Sequence, residues 1–115
     1  IQPHSKSHPR LGELETEQAR EEILGSKRIV ESLLSKKANF FAYPHGSYNE
    51  ATERIVQELG FDAAVTVSEG TVHAKTNPYQ LPRVSIDRST TFSQFKGKLS
   101  LAVDVYESIK RIIRV

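Results

Sequence analysis

Two apolar runs, residues 40–43 and 61–67, flank a stretch of helical periodicity, and this order constrains the fold more than any other feature of the chain. Both runs have strand length, and the second is rich in β-branched residues, as expected of a strand buried in a parallel sheet. Between them Asn49 is placed to cap a helix in which Ala51, Ile55, Val56 and Leu59 share a face, until Gly60 ends it. Strand, helix and strand in that order predict parallel strands joined by a right-handed crossover, an α/β fold.

The flanking segments extend the pattern. Thr16 reads as the N-cap of an earlier helix, with Glu17, Glu21 and Glu22 near the positive end of its dipole. Ala19, Ile23, Val30 and Leu34 recur along it at helical spacing to about residue 34, with Gly25 a weak point inside. Residues 68–80, holding Gly70, Asn77 and Pro78, read as a loop; residues 83–86 read as another short strand, and Thr91 as the cap of a short helix through Phe95. In residues 99–115, Val103, Ile109, Ile112 and Ile113 mix with Lys110, Arg111 and Arg114, which predicts an amphipathic terminal helix. Packing against the missing half of the domain is expected of it, with a membrane-surface role as the alternative.

Composition narrows the function. With 37% hydrophobic and 26% charged residues, the 115-residue chain is a globular piece and not a disordered one. Its net charge of +2 is dispersed, so no basic stripe calls for nucleic acid. No run of about eighteen apolar residues suits a bilayer, so no integral membrane segment is expected. The absence of cysteine excludes disulfides and thiolate metal sites within the chain. Starting at Ile1 without any methionine, the chain reads as a piece of a longer product, and a signal segment is expected, if anywhere, upstream of it.

Two motifs carry chemistry. His4-Ser5-Lys6-Ser7-His8-Pro9 places two imidazoles four residues apart in a polar loop, where both can turn toward one metal ion or simply be solvated. Asn39-Phe40-Phe41-Ala42-Tyr43-Pro44-His45-Gly46 reads as a strand running into a Pro-x-Gly turn, so that the backbone of Pro44 to Gly46 lies at a strand's carboxyl end. Functional groups of α/β folds collect at such ends.

Taken with Leu59-Gly60-Phe61-Asp62-Ala63-Ala64-Val65 and Leu81-Pro82-Arg83-Val84, these motifs occur in the order seen in polysaccharide deacetylases, the NodB-homology or family-four carbohydrate esterases, and residues 1–86 resemble that family. The resemblance implies an irregular (β/α)7 barrel, of which this chain supplies the later strands and helices as a partial barrel. Residues 1–98 would be the C-terminal portion of the catalytic domain and residues 99–115 a terminal amphipathic helix or tail. It further implies a metal-dependent hydrolase acting on carbon–nitrogen bonds, which removes acetyl groups, N-acetyl first, from a glycan outside the cytoplasm or in the cell envelope. The implied cofactor is a divalent metal, zinc foremost, which in amide hydrolysis polarises the carbonyl and lowers the pKa of bound water from about 15.7 toward about 7.

Residue by residue, the resemblance makes His4 and His8 metal ligands and Ser5 the residue that steadies their loop. The family's third ligand and catalytic base are adjacent aspartates in a Thr-Phe-Asp-Asp-Gly motif that is absent here; Asp62, Asp87 and Asp104 are each isolated. The turn departs from the family too, with Ala42 in the usual arginine position and His45 in the usual tyrosine position. His45 is then expected on the oxyanion side through its backbone N–H, its imidazole either reaching the pocket or remaining a loop side chain. Arg83 either orients a carboxylate or binds substrate, or else pairs with Asp87 or a glutamate. Tyr43, Pro44 and Gly46 are expected to bind substrate, with Tyr48 and Tyr79 as further surfaces for sugar stacking, while His73 reads as surface. A competing reading keeps the scaffold and drops the chemistry: a non-catalytic carbohydrate-binding or assembly module. On either reading the open barrel edges call for a partner, the N-terminal half of the same domain or a second copy.

Overall fold

The computed structural model describes residues 1–100 and 102–113. After a short 3-10 turn at Leu11–Glu13, helix α1 spans Thr16–Leu34. Its N-cap is Glu15, without a side-chain capping bond, so Thr16 is the first helical residue and not the expected cap. The shift follows from the backbone, since the Glu15 carbonyl already accepts the Ala19 N–H at 3.0 Å. Gly25 inside α1 has a packing reason: a Cβ there would lie 2.3 Å from Lys6 Cδ, where the histidine-bearing loop crosses the helix.

Strand β1, Phe40–Ala42, pairs in parallel with β2, Ala63–Val65, in the register Phe40 to Ala63 and Ala42 to Val65. Helix α2, Glu50–Glu58, makes the crossover. Its start is capped reciprocally: the Asn49 side chain accepts the Thr52 N–H at 2.9 Å, and Thr52 Oγ1 accepts the Asn49 N–H at 2.8 Å. Leu59 is its C-cap and Gly60, at φ 78°, turns the chain toward β2.

β2 is shorter than the apolar run that encodes it, and the strand expected at residues 83–86 does not form. Leu81 makes a single parallel bridge to Val65, after which Pro82 offers no N–H. The Thr66 carbonyl is then taken by Arg83 Nε at 2.7 Å while the Arg83 N–H goes to the Ser68 carbonyl at 2.8 Å, so the ladder slips. On the opposite edge, residues 2–4 run beside β1. Gln2 Oε1 accepts the N–H groups of Asn39 and Phe40, and the Pro3 carbonyl accepts the Ala42 N–H at 3.3 Å.

The core lies between this sheet, α1 and α2, with Ile23, Phe41, Tyr43, Ile55, Val56 and Phe61 all buried. Phe41 packs 5.5 Å from Phe61, and Lys27 lies 5.0 Å over the Phe61 ring while pairing with Glu31. Burying each phenylalanine side chain contributes about 1.5–3 kcal/mol. Helix α3, Phe92–Lys98, opens on a Thr91–Gln94 capping box and runs a turn beyond the expected end. Helix α4, Ala102–Ile113, is the expected amphipathic tail; Arg114 and Val115, and the side chain of Val103, lie outside the described residues. The whole is an α/β fold, a small parallel sheet flanked by helices, consistent with a barrel wall that is partial and not closed. No helix among the described residues is long and apolar enough to cross a membrane.

Candidate functional site

Three imidazoles meet at the carboxyl end of β1. The His4 and His8 ring centroids lie 4.8 Å apart and edge-on, and His45 stands edge-on to His8 at 4.5 Å. All three residues are exposed. His4 reaches the site beside β1, and its Nδ1 lies 2.7 Å from the Ala42 carbonyl. A carbonyl only accepts, so Nδ1 donates and the ring is oriented with Nε2 directed away from Ala42, the nitrogen left for a metal.

The loop between the two histidines is held by two residues, Ser5 and Glu22. Ser5 Oγ accepts the His8 N–H at 3.0 Å, which closes the turn. Glu22 on α1 accepts the N–H groups of Lys6 at 2.8 Å and Ser7 at 2.9 Å, and the Ser7 hydroxyl at 2.7 Å. Burial pushes the Glu22 carboxyl up, but these three donors outweigh it and hold the group below the ordinary glutamate range. Such ties matter because Ser5 and His8 both sit at φ 62° and His45 at φ 57°, a left-handed region that non-glycine residues enter at a cost of about 1–3 kcal/mol each.

The turn at Pro44–Gly46 is a 3-10 turn closed by the Gly46 N–H on the Tyr43 carbonyl and the Ser47 N–H on the Pro44 carbonyl, both at 2.9 Å. The His45 N–H takes no part in those two bonds. Gly46, at φ 65°, abuts the end of β2 so closely that a Cβ would meet Val67 Cγ2 at 2.4 Å. The turn is thereby pinned against the neighbouring strand.

Other expected site residues are dispersed. Tyr43 is a core residue with 0% exposure; its hydroxyl donates to the Tyr79 carbonyl at 3.1 Å, and burial raises its pKa strongly. Pro44 is buried, whereas Gly46 and Tyr48 are half-buried. The Tyr79 hydroxyl donates to the Phe61 carbonyl at 3.0 Å, so it too serves the core. Arg83 is exposed, makes no ion pair among the described residues, and spends its Nε on the Thr66 carbonyl. Asp87 instead accepts from Ser89, whose hydroxyl and N–H hold its carboxyl below the usual range. His73 is exposed, as the loop composition suggests.

Glu22 is the site residue that sequence reasoning missed. Its trace is indirect: it lies three residues before Gly25, on the same face of α1, where the mid-helix glycine marks the close passage of another segment.

The sequence pattern of polysaccharide deacetylases matches residues 1–64, and the chain belongs to that family. It is 27% identical over 95 residues to YxkH of Bacillus subtilis (strain 168), which carries the family's name, covering 83% of this chain and 34% of that protein. The structure is similar to the Streptococcus pyogenes deacetylase PplD, solved in complex with acetate, with a TM-score of 0.81 at 26% identity over 86% of this chain and 44% of that one. The fold is also similar to BA3943 of Bacillus anthracis, a family-four pseudoenzyme, with a TM-score of 0.53 at 23% identity over 56% of this chain and 23% of that one. The chain thus spans about a third of its curated relative and less than half of either structure.

The donor set fits a metal in part. Two imidazoles, one with its ring oriented by a backbone carbonyl, suit zinc and its neighbours. Among the described residues, however, no group of three histidine, cysteine or acidic side chains is arranged to hold an ion. A closed or catalytic zinc site needs at least three protein ligands.

Proposed function

We propose that this chain carries the histidine side of a polysaccharide deacetylase site and, taken alone, acts as a non-catalytic, glycan-binding part of that scaffold. The observation that carries the reading is the pair of imidazoles at a strand's carboxyl end, His4 locked by Ala42, with no third side chain among the described residues arranged with them to hold an ion. Fold similarity by itself does not decide between activity and its loss, since both a deacetylase and a pseudoenzyme share it. In a longer protein the missing carboxylates would come from outside this chain, and the whole would be a metal-dependent carbohydrate deacetylase of the cell envelope or extracellular space.

On this reading His4 and His8 hold a divalent ion, zinc foremost, once a third ligand is supplied. His45 offers its backbone N–H to the carbonyl oxygen under attack, and Pro44 and Gly46 shape the turn that aims it. Glycan contact falls to Tyr48, because the Tyr43 ring behind it is fully buried. Arg83, exposed beside the end of β2, binds substrate or orients an incoming carboxylate. Residues 1–98 form the domain portion and residues 99–115 the appended helix. Its open edges are covered by the N-terminal half of the domain or by a second copy.

The test is hydrolysis of an acetylated chitin oligomer by the isolated chain and by the chain joined to its upstream sequence, each with zinc. Negligible release of acetate from the chain and clear release from the longer protein is the expected pair of results. Equal activity in both would mean that the catalytic groups lie within these 115 residues. Light scattering of the chain at micromolar concentration tests the companion: a stable, cooperatively unfolding monomer would remove it.

A further inference from the structure

Beyond the histidines, a cavity of about 450 Å³ opens at the same end of the sheet, lined by Tyr48, Ser68, Thr71, Thr76 and, from α4, Arg111. Its position follows from the turn already described. Gly46 and Val67 touch, and the cavity begins just past them on both segments, at Tyr48 and at Ser68. It is therefore continuous with the strand ends that carry His45.

The wall has three chemical parts. Tyr48 supplies an aromatic surface, made rigid by stacking on buried Tyr43 at 5.0 Å and 28°. Such a ring suits the apolar face of a sugar. Ser68, Thr71 and Thr76 supply hydroxyls, which suit a polyhydroxylated ligand.

The third part is charge. Glu69 also lines the cavity, but its carboxylate already accepts the Ser85 hydroxyl and N–H and lies 3.6 Å from Lys98 Nζ. Arg111 makes no ion pair among the described residues. Among the described residues the cavity therefore presents one guanidinium whose charge its wall does not balance, and that planar fork takes carboxylate or phosphate oxygens in pairs.

We propose that this cavity binds an anionic sugar unit of the glycan, its ring against Tyr48 and its charged group on Arg111. The inference rests on the glycan reading above and narrows it to chains that carry acidic residues. It also gives α4 a role, because the helix closes one side of the subsite.

Amide and arginine Nε signals of the 15N-labelled full chain, titrated with D-glucuronic acid, glucose 6-phosphate and D-glucose, provide the test. Glucuronic acid is expected to shift Tyr48, Gly70, Thr71 and the Arg111 Nε, with an apparent affinity at least fivefold above that for glucose. Arg111→Gln should bring it down to the glucose level, and because Arg111 is exposed the remaining spectrum reports an intact fold. A response to glucose 6-phosphate equal to or above that to glucuronic acid would keep the anionic subsite and assign its source to a phosphorylated sugar. Equal affinity for glucose and glucuronic acid, or no effect of Arg111→Gln, would overturn the proposal. A neutral N-acetylglucosamine oligomer that shifts His8 and His45 while no acidic sugar touches the cavity would overturn it and leave the glycan reading standing. No response to any sugar would overturn both.

Discussion

The ten residues of the hydrophobic core lie between Leu11 and Ala64, whereas Phe92, Leu99, Ile109, Ile112 and Ile113 of the α3–α4 region are 48% to 75% exposed. The first region closes a core of its own around β1, β2, α1 and α2. The second is tied by polar contacts, such as Lys98 Nζ on the Ser85 carbonyl at 2.7 Å, to the segment that follows β2. Stability and the histidine site thus belong to the first region, while the second brings an apolar face that lacks cover and one wall of a cavity. A small-domain core tolerates little loss, so substitutions in the two regions should differ by several kcal/mol.

The largest effect separates them directly. Phe41→Ala removes a ring packed against both Tyr43 and Phe61 and should cost about 3–5 kcal/mol, read from urea unfolding followed by circular dichroism. Ile112→Ala should stay within about 0.5 kcal/mol, because its side chain is already in water. Similar costs for the two would mean that α4 packs on the core in solution, and the contrast would fail.

Next comes the turn that joins core to site. Gly46→Ala places a Cβ against Val67 at a positive φ and should cost about 1–3 kcal/mol. It should also separate His45 from His8, visible as loss of the contacts between their ring protons. A variant as stable as the parent, with those contacts kept, would show that the turn is not pinned.

A smaller effect belongs to Glu22. Glu22→Ala leaves two loop N–H groups and the Ser7 hydroxyl to water and should cost about 1–2 kcal/mol. Because the folded carboxyl is held below its usual value of 4.5, its stabilisation is complete above that pH and is lost as the pH falls through the folded value. Stability of the parent minus that of Glu22→Gln should therefore shrink below about pH 4.5. A difference that stays constant from pH 7 to pH 3 would show that Glu22 does not titrate against the loop.

Much of the first region was legible in the chain because its signals are local. The Asn49–Thr52 box, the helix end at Leu59 and Gly60 and the Pro-x-Gly turn each depend on residues within one turn of each other. The terminal helices were legible for the same reason. The strand expected at residues 83–86 was not there, since its ladder depended on which group reached the Thr66 carbonyl, and a side chain did so before the backbone. Thr16 looked like a cap by type, yet the chain entered the helix at Glu15. Tyr43 read as a sugar platform from its place beside the turn, but side chains alternate along an extended segment and its ring went to the core.

The sequence by itself determined the parallel strand pair, the helix between them, the identity of the imidazole donors and the lack of an adjacent aspartate pair. These follow from periodicity, capping and residue chemistry, which act over a few residues. Only the tertiary structure decided that His45 would stand against His8, that Glu22 would clamp the loop carrying His8, and that Arg111 would face a cavity begun by Tyr48. Those pairings join positions far apart in the chain. The two histidine-loop pairings exist because the core between α1, β1 and α2 fixes their segments at one end of the sheet.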